Sequence, residues 1–318
     1  MKNLIIWAIL LGGVAYGGAK AYLHSEVGDA MDMVVMMMSP YADVEYDGVR
    51  STMSGELTIE GIRVNMHEFR DELRIDRLGI DTPSFLTLLE MDNFITMRGE
   101  SVPDYFGFLV EGVHIPTNAD YFEEIYEFSL DYRDADDAAD AAAACTGKYG
   151  FSPAALTALG YSEQVFSMAT TVRNTAGTFT FDVEMGIDDM ADVDAHLTLA
   201  GDLQTEMYKG SSYRPRLSAL TIDVTDRSIN ERVQKYCKKL GLSEEQTLTA
   251  QMEAFKYVGE SYGIEFDEYM LAPYEQFLNG KERITITAKP NSPIAMSQID
   301  LYKASDVPAL LNLEARAY

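Results

Sequence analysis

The sequence predicts an α+β protein. An N-terminal transmembrane helix is followed by a curled antiparallel β-sheet backed by helices, with a helix-rich C-terminal part. Three observations carry this. Residues 3–19 hold no charge and are flanked by Lys2 and Lys20. Segments 56–64 and 72–80 alternate apolar and polar residues and echo one another sixteen residues apart. After Asp226 the apolar spacing lengthens from that of a strand to that of a helix.

At about 1.5 Å per residue, a helix over 3–19 reaches roughly 25 Å, close to the hydrocarbon thickness of a bilayer. Two readings compete for it. A secretory signal needs a basic start, a short apolar run and a small-residue cleavage site, and Ala19-Lys20-Ala21 offers one. An uncleaved anchor over 3–23 runs on through Tyr22 and Leu23, with Lys20 snorkelling and Trp7 and Tyr22 near the two interfaces. Both readings export residues 25–318. After Lys20 no Lys or Arg appears before Arg50, while Glu26, Asp29 and Asp32 come at once, so the positive start stays inside. The expected topology is one crossing, with the bulk of the chain on the far side. The parts are then 1–24 (anchor or signal), 25–40 (juxtamembrane helix), 41–225 (β-rich domain) and 226–318 (helix-rich part packed on the sheet).

A hydrophobic fraction of 47% supports a real core, and a net charge of −26 repels nucleic acid, which is excluded as a partner. A salt-rich source accounts for the acidity without any function. The two cysteines, Cys145 and Cys237, have two readings. In an oxidising compartment they form a bridge; otherwise they are two small apolar residues buried separately.

The elements come in this order. Residues 25–38 continue the helix with a methionine cluster (Met31, Met33, Met36, Met37, Met38) that packs near the bilayer, and Ser39-Pro40 ends it. A strand around Val44 precedes the twin segments. In these, Leu57, Ile59, Ile62 and Val64 match Leu73, Ile75, Leu78 and Ile80, with a skip at Gly61 and at Arg77 that reads as paired β-bulges bending two adjacent strands. A short helix spans 84–91, a strand lies within 103–115, and a helix runs through Tyr121 and Phe128. Residues 131–145 are Asp/Ala-rich, and Ser152-Pro153 opens a short helix ending near Gly160. Phe179, Phe181 and Val183 alternate with polar residues up to a turn at Asp188-Asp189, and Leu197 and Leu199 alternate after it, giving a hairpin with one apolar face. Leu220, Ile222 and Val224 continue the pattern. Helices are expected over 229–240, from the capping box Ser243–Gln246, and over 266–278. Then come a strand at 283–287 and a closing helix over 305–317.

No catalytic pattern is present: there is no nucleophile elbow, dinucleotide fingerprint or phosphate loop. His24, His67, His114 and His196 are scattered without metal-ligand spacing, so no cofactor or metal is expected. Two acidic clusters, Asp134/Asp136/Asp137/Asp140 and Asp188/Asp189/Asp192/Asp194, offer oxygen ligands for calcium but read more simply as solvated surface. The apolar residues of the twin segments and of the hairpin form either a covered core or an open groove for an acyl chain or an apolar peptide.

The order of anchor, juxtamembrane helix, Tyr46-x-Gly48 and the strand Glu56-Leu57-x-Ile59-x-x-Ile62-x-Val64 resembles the start of AsmA-like and YdgA-like bacterial envelope proteins. Asp226-Arg227-Ser228, the turn at 240–243, Phe277-Leu278, Ile284-Thr285-Ile286-Thr287-x-Lys289-Pro290 and Pro293-Ile294 extend the likeness to about half the chain. The resemblance implies a β-rich protein of lipid or envelope homeostasis that crosses a bacterial inner membrane once, with the bulk of the chain in the periplasm, and no catalytic residue to carry over. The expected function is non-enzymatic: an apolar sheet surface offered to lipid or to another envelope protein. The alternatives are a structural subunit of a membrane complex and a hydrolase with an unfamiliar site.

Overall fold

A computed structural model describes residues 2–90, 103–129, 145, 151–175, 177–201, 216–299 and 301–318, with the side chains of the first helix from Gly17 onward. It is an α+β structure built on a large open antiparallel sheet with helices. The chain divides into two compact units, Met1–Val110 and Glu111–Tyr318. The division falls inside a strand, at a place that composition does not mark.

In the first unit, helix α1 (Lys2–Met38) is continuous. Among the described residues, no helix is long and apolar enough to cross a membrane. Most of the uncharged run at 3–19 lies outside the residues whose side chains are described. Strand β1 (Ala42–Glu45) and strand β2 (Gly48–Ser51) pair with successive stretches of β3 (Glu56–Met66), and β3 pairs with β4 (Glu72–Asp81). The twin segments therefore lie side by side, with Leu57 opposite Ile80, Ile59 opposite Leu78, Ile62 opposite Ile75 and Val64 opposite Leu73.

The expected paired bulges are absent. Glu60↔Arg77 and Ile62↔Ile75 keep one continuous register, so neither strand carries an extra residue. Gly61 instead takes a left-handed φ of +63°. The irregularity belongs to the edge strand, which breaks between β1 and β2. There the Asp47 amide donates to the Glu60 carbonyl, and Arg63 donates to the Asp47 carboxylate at 3.0 Å. A side chain at 61 would collide with Asp47, its Cβ lying 2.1 Å from Oδ2. Without bulges the predicted curl has no cause, and the sheet is neither curled nor closed.

Helix α2 (Phe85–Leu89) comes after β4, its N-terminus capped by Ser84. Leu23 of α1, Leu57, Phe85 and Leu88 form the core here, with Ala19, Val27 and Val49 against them. The next strand, β5 (Tyr105–Pro116), neighbours β4 and β6 in the strand order.

The second unit continues with α3 (Asp120–Ser129), α4 (Pro153–Ala158, capped by Ser152), β6 (Glu163–Thr175), β7 (Thr178–Ile187), β8 (Ala191–Ala200) and β9 (Arg216–Asp226). Helices α5 (Ile229–Lys239), α6 (Glu244–Ser261) and α7 (Glu268–Leu278) come next. The capping box at Ser243 and Gln246 is formed. After α7 come β10 (Arg283–Ala288), β11 (Ile294–Ala295), α8 (Met296–Ile299), α9 (Val307–Leu311) and β12 (Glu314–Ala317). The strand order is β6-β7-β8-β9-β10-β12, with β11 on β9. The expected closing helix over 305–317 is corrected. Asn312 adopts φ +47°, which stops α9, and 314–317 then pair with β10. The Asp/Ala-rich segment and its aspartates lie outside the described residues.

Cys145 and Cys237 are joined by a disulfide across 92 residues of sequence, with their Cα atoms 5.8 Å apart. The bridge sits in a core with Leu156, Leu159, Tyr161, Met190 and Val233. Arg232 lies over the Tyr161 ring, 4.1 Å from its centroid, and Tyr161 and Ser228 hydroxyls meet at 2.9 Å. Phe255 of α6 stacks between Phe266 and Tyr274, at 4.6 and 4.0 Å, which joins α6 to α7.

Candidate apolar binding face

Strand alternation sorts the second unit's sheet into two faces, and the registers align residues of one kind into rows across it. One apolar row is Met168, Met185, Val193, Val224 and Ile284. The next is Thr170, Val183, Ala195, Ile222 and Ile286, and the third is Val172, Phe181, Leu197, Leu220 and Ala288. A register shift between Thr198 and Leu199 gives β9 one extra residue, which keeps Leu217 on this face beside Leu199 and Phe179.

Burial divides the rows. Phe179, Leu199, Leu217 and Val172 are buried, as are Ile284 and Ala288 towards the β10 edge. The middle is different: Met168, Met185, Val183, Val193, Ala195, Ile222 and Val224 are only half-buried. Helix α7 packs on β10 and β12, α6 packs on α5 and α7, and α8 on β11. A row of β-branched and methionine side chains in a filled core would be closed to water. Here, among the described residues, the central apolar rows keep part of their surface accessible.

The opposite face is wet and acidic. Its carboxylates are tied across strands: Asp182 to Arg173 and His196, Asp192 to Arg227 (2.6 Å) and Asp223 to Arg283 (2.9 Å). The calcium reading finds no geometry at the hairpin. Asp192 is taken by Arg227, Asp189 turns at φ +58° and, among the described residues, no three acidic, His or Cys side chains converge as for a metal ion. His196 places Nδ1 on Asp182 and Nε2 3.3 Å from Thr198 Oγ1, the order of an acid–base–hydroxyl series. It lies half-exposed on a flat face of a central strand, where both ladders consume the backbone N–H groups that an oxyanion would need. The geometry is that of a solvated cross-strand pair.

The sequence-predicted groove residues fall in both units. Phe181, Val183 and Leu197 belong to the apolar rows of the second unit, with Phe179 and Leu199 at their buried end. Leu57 is core beneath α1 and α2, and Ile62 is buried; Ile59, Val64, Leu73, Ile75, Leu78 and Ile80 are half-buried on β3 and β4. Periodicity alone missed the β6 contribution (Met168, Thr170, Val172) and that of Ile284 and Ile286, which the register reveals.

Residues 155–318, from α4 to the last strand, match the model of a family described as "Uncharacterized protein". The chain belongs to that family. The family segment contains every row of the apolar face. No curated protein and no solved structure gives a match.

Proposed function

We propose that this is a non-enzymatic envelope protein, held to a bacterial inner membrane by the uncharged run 3–19, Leu23 being packed in the protein core, that presents the apolar face of β6–β10 to lipid or to a partner in the periplasm. The observation that carries the reading is the accessible middle of that face: aliphatic and methionine side chains aligned over five strands and only half-buried. Such a surface has a reason to persist where an apolar ligand covers it. The uncharged run between Lys2 and Lys20 supports the anchor, and the Cys145–Cys237 disulfide supports an oxidising compartment. The likeness of the 46–64 segment to AsmA-like and YdgA-like proteins points the same way.

Native mass spectrometry of the detergent-purified chain tests this. Phospholipid adducts are expected, and Ile222→Glu removes them while leaving the fold intact by circular dichroism. A chain free of lipid, with Ile222→Glu merely unfolding it, contradicts the proposal.

A second reading, a structural subunit of a membrane complex, is favoured by one observation. Met33, Met36 and Met37 are exposed on α1 at helical spacing, with Tyr41 exposed just beyond it. Because α1 is continuous, these methionines lie roughly 20–25 Å along the helix from Lys20, too far to pack at the bilayer as the sequence suggests. Adaptable methionine surfaces suit protein partners. Crosslinking from position 36 to a second protein would support that reading.

A further inference from the structure

The first unit ends, on one side, where α1 arrives at the sheet. Lys20 Nζ donates to the Ser51 carbonyl at 2.9 Å, and His24 Nε2 meets the Ser51 hydroxyl at 2.9 Å. Ser51 is the last residue of β2, so Lys20 marks the level of the sheet end. From there α1 runs along the sheet to Met38, beyond which the Tyr41 carbonyl accepts from His67 at the other end. In the opposite direction the same helix continues from Lys20 back to Lys2. At 1.5 Å per residue that is roughly 25 Å of helix on the far side of the sheet end.

Two short segments close this end beside α1. The turn at 52–55 and helix α2 are locked together: the Thr82 hydroxyl donates to the Gly55 carbonyl at 2.9 Å, and the Phe85 amide reaches the Met53 carbonyl at 3.4 Å. Phe85 and Leu88 point inward onto Leu23 and Ala19. Their neighbours point outward. Leu86 is 70% exposed, Met53 69% and, on α1 at the same level, Tyr22 62%. Large apolar side chains scattered over a surface mean little, but Met53 and Leu86 stand on two segments tied to each other beside the helix that leaves the body, and Tyr22 stands on that helix.

We infer that Met53, Leu86 and Tyr22 form a membrane-resting rim, seated in the headgroup and upper acyl region of the bilayer that residues 3–19 enter. The inference rests on the anchor reading and adds a second, independent contact to it. The occupant is the lipid surface because the helix that would enter it packs against α2, which carries Leu86, and itself carries Tyr22. Apolar side chains at this depth insert about 5–10 Å, and an aromatic hydroxyl sits comfortably at headgroup level. The attraction is apolar rather than electrostatic, since a chain of net charge −26 is not drawn to anionic lipid. The rim would hold the sheet upright on the membrane, with the Met33–Met37 stripe facing away from it.

Depth-dependent fluorescence quenching tests this on the full chain in phosphatidylcholine nanodiscs. Both native cysteines are in the disulfide, so one added cysteine can be labelled alone. Four single variants are compared: Met53→Cys, Leu86→Cys, Leu10→Cys within the span and Met37→Cys at the far end of α1. Lipids spin-labelled near the headgroup should quench positions 53 and 86 by about half and leave position 37 unchanged, while lipids labelled near the chain end quench position 10. If position 10 is quenched but 53 and 86 behave like 37, the rim is wrong and the anchor stands. If position 10 is not quenched at all, the anchor reading fails and takes the rim with it.

Discussion

Gly259, near the end of α6, faces the ring of Phe266. A Cβ built there lies 2.5 Å from Phe266 Cε2 and 3.0 Å from the Ile264 carbonyl oxygen. The ring cannot retreat, because it is stacked on Phe255. Gly259→Ala should therefore cost about 1–3 kcal/mol, read as a lower urea midpoint at unchanged slope. Asp226 tests electrostatics at the same scale. Burial raises its carboxyl above the ordinary range, although the amides of Asn230, Ile229 and Ser228 pull it down. The folded state thus holds this proton more tightly than the unfolded chain. Its contribution is favourable in acid and is lost as pH rises through the folded-state value. Wild type should lose stability relative to Asp226→Asn as pH rises from the ordinary carboxylate range through the folded-state value. A gap in melting temperature that stays flat over that range would contradict the assignment.

Among the elements, the disulfide is the strongest single tie. It joins α5 to Cys145 across 92 residues, and closing a loop of that length is worth about 4–5 kcal/mol in the chain-entropy model. Cys145→Ser with Cys237→Ser should lower the denaturant midpoint accordingly. The capping box is weaker, and Ser243→Ala should cost about 1 kcal/mol. These elements also show what sequence can disclose. The β7–β8 hairpin was legible because each strand has one wet and one apolar face, so period two is visible in both. The capped starts of α4 and α6 were legible because a cap is local chemistry. The paired skips in β3 and β4 misled: they marked two strands correctly but not bulges, since the irregularity was absorbed by Gly61 and the break between β1 and β2. The last strand was hidden because four residues are too few to show alternation, and its partner β10 is supplied by tertiary pairing. The rim at Met53 and Leu86 was invisible for a similar reason. Two segments some thirty residues apart meet through Thr82 and Phe85, a pairing that no local pattern announces.

For the whole molecule, charge and surface set the behaviour. A net charge of −26 repels itself, and cross-strand pairs such as Arg227–Asp192 and Arg283–Asp223 relieve only part of it. Raising salt from about 10 mM to about 0.15 M shortens the screening length from about 30 Å to about 8 Å and should raise the melting temperature. A fall would mean that the attractive pairs outweigh the repulsion. The central claim concerns the accessible middle of the β6–β10 face, and site-specific photocrosslinking addresses it most directly. A diazirine-bearing residue is placed at Ile222 in the membrane-resident full chain, with Phe179, 1% exposed, as the buried control. The account predicts phospholipid or a second protein covalently joined at 222 and only intrachain products at 179. Intrachain products alone at both positions would contradict it, because the face would then be ordinary core.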